Sequence, residues 1–130
     1  MHTSAKRTIL FIAFIILAFV AQAQEAMDEL KASFGVGNVG GIVRFCGNNI
    51  SLNIVGSQAN YSRSQAEMIL RDFFNKNAPK KFDIEHTGSS ANMKFSIGTL
   101  YTSTGNYKTY FSVRYKDGSY YIQEIRIERN

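Results

Sequence analysis

The stretch Tyr107–Ile127, YKTYFSVRYKDGSYYIQEIRI, decides how the chain is read. Tyr107, Thr109, Phe111, Val113 and Tyr115 recur at a period of two, the repeat of a strand with one buried face. Asp117-Gly118 is a two-residue hairpin turn. That turn sets Tyr115 opposite Tyr120 and Val113 opposite Ile122. Continued without a break, it would set Phe111 opposite Glu124 and push a carboxylate into the core, which is costly. One extra residue at Gln123-Glu124 removes the conflict. Phe111 then meets Ile125, Thr109 meets Ile127, and Lys108 meets Glu128. The pattern therefore predicts a β-bulge at that point.

Upstream, Met93, Phe95 and Ile97 share one strand face, and Gly98 shifts the phase so that Leu100 continues it. A glycine at a phase break suggests another bulge. Phe82-Asp-Ile-Glu-His86 alternates as well, with a turn expected at Gly88-Ser89-Ser90. Ile50–Ile54 reads as a further strand.

Between these strands lies the strongest helix signal. Ser64 and Glu67 spell a capping box, and Ala66, Ile69, Leu70, Phe73 and Phe74 form one apolar face. Asn77 and Pro79 end that helix. Met27, Leu30 and Phe34 mark an earlier helix over Glu25–Phe34, stopped by Gly35-Val36-Gly37. Asn38 caps a short second helix carrying Val39, Ile42, Val43 and Phe45. The order is helix, helix, strand, helix, then four antiparallel strands. This predicts an α+β fold: three helices packed in the concave face of a curved, mostly antiparallel sheet, a cone-like half-barrel with its outer face free.

Ahead of this pattern stands a segment of different character. Lys6 and Arg7 precede the apolar run Ile9–Val20, and Ala21-Gln22-Ala23 follows. Basic, apolar and A-x-A regions in that order predict a secretory signal peptide over residues 1–23, cleaved between Ala23 and Gln24. A single domain over 24–130 and a periplasmic or secreted location follow. Membrane contact is expected only if the segment stays uncleaved.

Of the 15 Lys and Arg, Lys6 and Arg7 lie in that leader, leaving 13 against 10 Asp and Glu. Lys80-Lys81 is the one adjacent basic pair beyond it, so the cation stripe of a nucleic-acid binder is missing. Cys46 is the sole cysteine and cannot form an internal disulfide. Following Ile42, Val43 and Phe45, it is expected to be a buried, unreactive thiol.

The order of elements resembles the nuclear transport factor 2-like superfamily, the cone fold shared with ketosteroid isomerase and polyketide cyclases. More closely, the chain resembles a branch of short secreted bacterial domains of unknown function. The resemblance is carried by Ser64–Phe74 (SQAEMILRDFF), His86-Thr87-Gly88, Ile97-Gly98-Thr99-Leu100 and Tyr121–Ile127. It implies a cone with a pocket and self-association through the open sheet face. It implies no activity.

The residues name few chemical candidates. Gly35-Val-Gly-Asn-Val-Gly40 matches G-x-G-x-x-G, but a helix precedes it and Gln58-Ala59-Asn60 supplies no acid about 20 residues on, so it reads as an elbow between helices. One histidine and one cysteine beyond the leader are too few for a metal site, and no cofactor is expected. His86 has the strand parity of Phe82 and Ile84; with Phe95, Tyr107 and Tyr115 it makes the candidate pocket. Asp83 and Glu85 should face outward, which leaves that pocket without a carboxylate base. Tyr101, Tyr110 and Tyr121 should stand on the outer face with Arg114 and Arg126, residue types enriched at interfaces. The sequence thus predicts an exported, non-enzymatic binding or interaction domain whose partner is a second copy, a small ligand or an envelope protein. The second reading is a small isomerase- or hydrolase-like enzyme using His86 with Tyr107 or Tyr115.

Overall fold

A computed structural model describes residues 2–130 and gives nine elements. Met1 and the side chains of residues 2, 3 and 18–20, all in the expected leader, lie outside the described set. Helices α1 (His2–Val36), α2 (Val39–Val43) and α3 (Arg63–Lys76) pack against a single six-stranded sheet. Its strands are β1 (Cys46–Ile54), β2 (Ser57–Tyr61), β3 (Pro79–Ser90), β4 (Met93–Thr102), β5 (Gly105–Lys116) and β6 (Ser119–Arg129). Their spatial order is β2-β1-β6-β5-β4-β3, antiparallel except where β1 runs parallel to β6.

The closing hairpin has the register that its turn and parity require. Tyr115 faces Tyr120, Val113 faces Ile122, Phe111 faces Ile125, Thr109 faces Ile127 and Lys108 faces Glu128. Gln123 is the extra residue. Asp117 and Gly118 both have positive φ, 51° and 83°, as a type I′ turn demands.

Each helix boundary has a local cause. α1 ends in a Schellman motif: Gly37 at φ 70° lets Asn38 N–H donate to Ser33 C=O at 2.9 Å. Asn38 then caps α2 by accepting from Gly41 N–H at 3.1 Å. The elbow carries no strand before it, so the glycine motif does bend one helix into the next. α3 is capped by Ser62 with Gln65, not by Ser64 with Glu67. Gln serves as well as Glu in a capping box, and the helix starts two residues earlier than the Ser64 pair implies.

Three further expectations change. Ser57–Tyr61 forms β2 and pairs with β1, although its polar sequence carries no apolar alternation. β3 runs through Gly88 to Ser90, and the turn falls at Ala91-Asn92 instead. In β4 the pairing with β5 is unbroken, and the bulge lies across from Gly98 in β3, between Ile84 and His86. A Cβ on Gly98 would stand on the Asp83 carbonyl oxygen and 2.9 Å from the Phe82 ring, so glycine lets the bulged strand come close.

The concave side is filled. Phe34 stacks on Phe111 with centroids 5.1 Å apart, and Phe82 and Phe74 close around the pair at 5.8 and 6.4 Å from Phe34. Leu30, Ile42, Leu70, Leu100 and Ile125 are fully buried around them. Along α1 the packed residues are Ala23, Ala26, Leu30 and Phe34, all on one helical face. Before Ala23 this changes: Ile9, Leu10, Phe11, Ile12, Phe14, Ile15, Ile16 and Leu17 are all exposed.

Candidate binding face on the open side of the sheet

The helices cover one face of the sheet and leave the other free, and strand pairing fixes which side chains the free face presents. Across β3, β4, β5 and β6 its rows read Asp83, Thr99, Lys108 and Glu128; then His86, Ile97, Tyr110 and Arg126; then Gly88, Phe95, Ser112 and Glu124. Residues directly opposite in a ladder share a face, so these rows are contiguous patches.

Aromatic rings run along the face. His86 lies against Phe95 with centroids 6.0 Å apart, Phe95 against Tyr110 at 5.9 Å, and the Arg126 guanidinium sits 4.5 Å over the Tyr110 ring. Arg126 is also paired with Glu124 at 2.6 Å. The Phe95 ring lies where a Cβ on Gly88 would be, so the glycine makes room for it. On the neighbouring row Lys81 stands 4.6 Å over the Tyr101 ring and 3.2 Å from Asp83. Glu85, in the β3 bulge, accepts a hydrogen bond from Thr99 Oγ1.

This geometry separates the four residues of the expected pocket. The β3 bulge reverses parity after Ile84, so His86 points outward with Phe95 and is exposed. Phe95 is outward because Ser96, Gly98 and Leu100 take the inner positions of β4, opposite Phe111, Thr109 and Tyr107. Tyr107 is buried in the core, edge-on to Phe73 at 5.2 Å, and donates to Asn77 Oδ1 at 3.0 Å. Tyr115 packs against Tyr120 at the hairpin end, rings tilted by 57° and 5.0 Å between centroids. His86 and Tyr107 therefore lie on opposite faces, and the acid–base pairing of the isomerase-like reading has no common site. By contrast Tyr101, Tyr110, Arg114, Tyr121 and Arg126 all stand on the free face, as their strand parity predicted.

Cys46 is buried, and loss of solvation pushes its thiol up to about 11 while the nearby Arg63 pulls weakly downward. A neutral thiol is a poor nucleophile. Among the described residues no three His, Cys, Asp or Glu side chains gather as a metal site.

One feature of the face escaped sequence reasoning. Between Cys46 and Ser51, β1 departs from β6, and four residues there span a gap that Gln123 alone fills on the other strand. The departure opens a cleft of about 570 Å³ beside Tyr121 and Arg114. Gly47, Asn48 and Asn49 lie within β1 at this gap, and the signal was the glycine and amides placed just before an alternating strand.

The profile of DUF4783, "Domain of unknown function", matches residues 27–128. The chain belongs to the DUF4783 family. A DUF4783 protein of Bacteroides ovatus superposes with a TM-score of 0.76 at 26% identity, covering 78% of this chain and 93% of its own. Another, from Bacteroides fragilis, gives 0.74 at 30% identity over 78% of this chain and 96% of its own. An NTF-2 like protein of unknown function from Silicibacter pomeroyi gives 0.63 at 12% identity, over 88% and 98% of the two chains, and shows the cone fold alone. No curated protein matches the chain. The DUF4783 domain is thus an NTF2-like cone whose concave side, in this chain, is packed with phenylalanine.

Proposed function

We propose that this DUF4783 chain is an exported binding domain that works through the open face of its sheet, with a second copy of itself as the first partner. The observation that carries the reading is the run of contacts His86–Phe95–Tyr110–Arg126 across two rows, rings and a guanidinium on the one face no helix covers. Charge fits a self-partner better than a polyanion: Lys81, Lys108, Arg114, Lys116 and Arg126 share the face with Asp83, Glu85, Glu124 and Glu128, so both signs are interspersed. Four strands about 4.8 Å apart carrying five outward rows about 6.8 Å apart cover roughly 600 Å². That approaches the ~800 Å² per partner of a standard interface.

Export is supported by α1. Its first half exposes eight large apolar side chains, which a helix of a soluble domain does not do. Its window of mean hydropathy 2.0 near the N-terminus has the composition of a signal segment. Fractionation of the host cell with mass measurement of the protein tests this, and a cytoplasmic full-length chain overturns it. Sedimentation equilibrium tests the partner. Dimers that dissociate in Tyr110→Glu and Arg126→Glu support the face; a monomer at concentrations up to roughly 0.1 mM rejects it.

A further inference from the structure

The cleft at the β1–β6 gap is built differently from the rest of the face. Asn48, Asn49 and Gln123 offer amide donors and acceptors at its walls. Tyr121 lies on its edge and is 37% exposed, the one aromatic of residues 24–130 among the exposed large apolar side chains. Gly47 lies beside that ring, where a Cβ would come within 3.7 Å of Cδ1, so the glycine keeps the flank of the ring uncrowded.

The charges here differ too. Arg44, Arg71 and Arg126 are each paired with a glutamate. Arg114 is not: its Nε donates to Gln123 Oε1 at 3.2 Å, and among the described residues no carboxylate pairs with it. Holding Nε on a neutral amide orients the guanidinium and leaves its terminal nitrogens for an incoming acceptor. Lys116, two residues on and on the same face, also has no carboxylate partner among the described residues. Asp117 is the single acid of the lining, so the cleft carries two cations against one anion.

An open ring for a C–H face, amides for hydroxyls, and two unpaired cations together fit one ligand class. We propose that this cleft binds a saccharide bearing a carboxylate: the sugar ring on Tyr121, its hydroxyls at Asn48, Asn49 and Gln123, and its carboxylate at Arg114 and Lys116. The volume suits a mono- or disaccharide, since ligand pockets run from about 300 to 1,000 Å³. This inference rests on the reading of the chain as a binding domain and gives that domain a ligand.

Titration of the isotope-labelled protein, followed by amide chemical shifts, tests it. The probes are digalacturonic acid, N-acetylmuramic acid, the neutral disaccharide galactobiose, and N-acetyl-diglycine as a carboxylate without a sugar. Shifts confined to residues 47–49, 114–117 and 121–123 are expected with an acidic sugar, and whichever of the two binds tighter identifies a uronic or an envelope-type source. Galactobiose should bind at least about tenfold more weakly. Arg114→Gln and Lys116→Gln should each abolish that difference, while Tyr121→Ala should weaken both sugars. Spectral dispersion shows which variants remain folded. No shift with either acid sugar, shifts elsewhere, or an equal response to N-acetyl-diglycine overturns the proposal. Sedimentation separates the two readings: a dimer held by the Tyr110 row that ignores both sugars sinks the cleft alone, and a monomer that ignores them sinks both.

Discussion

Strand β5 shows two surfaces of one sheet under different constraints. Its inward residues Tyr107, Thr109, Phe111 and Val113 are all buried, and each meets helix or strand neighbours on several sides. Its outward residues Lys108, Tyr110 and Arg114 make pairwise contacts with one or two neighbours across the strands. The inner face is therefore constrained by volume, since a packed core has no room to relax. The outer face is constrained by pairing, and its side chains can move without moving the backbone. Substitutions should reveal that contrast directly.

The largest effect is expected at Phe111, which stacks on Phe34 and touches Phe82. Phe111→Ala should cost about 3–5 kcal/mol in denaturant unfolding, whereas Tyr110→Ala next to it should cost less than about 1 kcal/mol. Equal losses would break the contrast. The two crowded glycines sharpen it. Gly98→Ala puts a methyl group against the Asp83 backbone, which cannot swing aside, and should cost about 3 kcal/mol. Gly88→Ala meets only the end of the Phe95 ring and should cost about 1 kcal/mol while displacing the ring from His86.

The buried thiol supplies a pH test. The folded state holds the Cys46 proton more tightly than the unfolded chain, so its contribution is complete below pH 9.0 and disappears as pH climbs to about 11. Wild-type stability should fall across that window by on the order of 2 kcal/mol more than that of Cys46→Ala, measured by denaturation at several alkaline pH values. A parallel fall in both proteins would show that the thiol is not desolvated as described. The smallest effect concerns an anomaly of the inner face. Ser96 is fully buried opposite Phe111, and its hydroxyl has no hydrogen-bond partner. Ser96→Ala should raise stability by about 1 kcal/mol, or a few degrees in Tm. A loss instead would indicate that the hydroxyl has a role.

How far the sequence could be read follows from the same two surfaces. The Gln123 bulge was legible because the Asp117-Gly118 turn fixes register and parity then exposes a carboxylate conflict. The β4 orientation was not, because Met93, Phe95 and Ile97 are the apolar residues yet face outward, while Ser96 and Gly98 face the core. Alternation reports an apolar face, not which layer covers it. β2 was missed for the opposite reason: an edge strand of Ser57-Gln-Ala-Asn-Tyr61 buries little and leaves no periodic trace. Of the site, the outward tyrosines and arginines followed from parity once the hairpin was placed. The four expected pocket residues part because the β3 bulge turns His86 over and the β4 register turns Phe95 outward. The cleft depends on a parallel contact between β1 and β6, strands about 70 residues apart that no local pattern pairs.

That parallel contact also governs when the fold can form. β6 is last in chain order but central in the sheet, with β1 on one side and β5 on the other. During synthesis, the β1–β2 hairpin and α3 emerge with no partner for β1's other edge, and the Ile122–Ile127 segment that completes the layer comes last. Assembly waits on contacts between strands more than 70 residues apart, the condition that makes folding slow. Until β6 arrives, β1 has one edge without a strand to pair with.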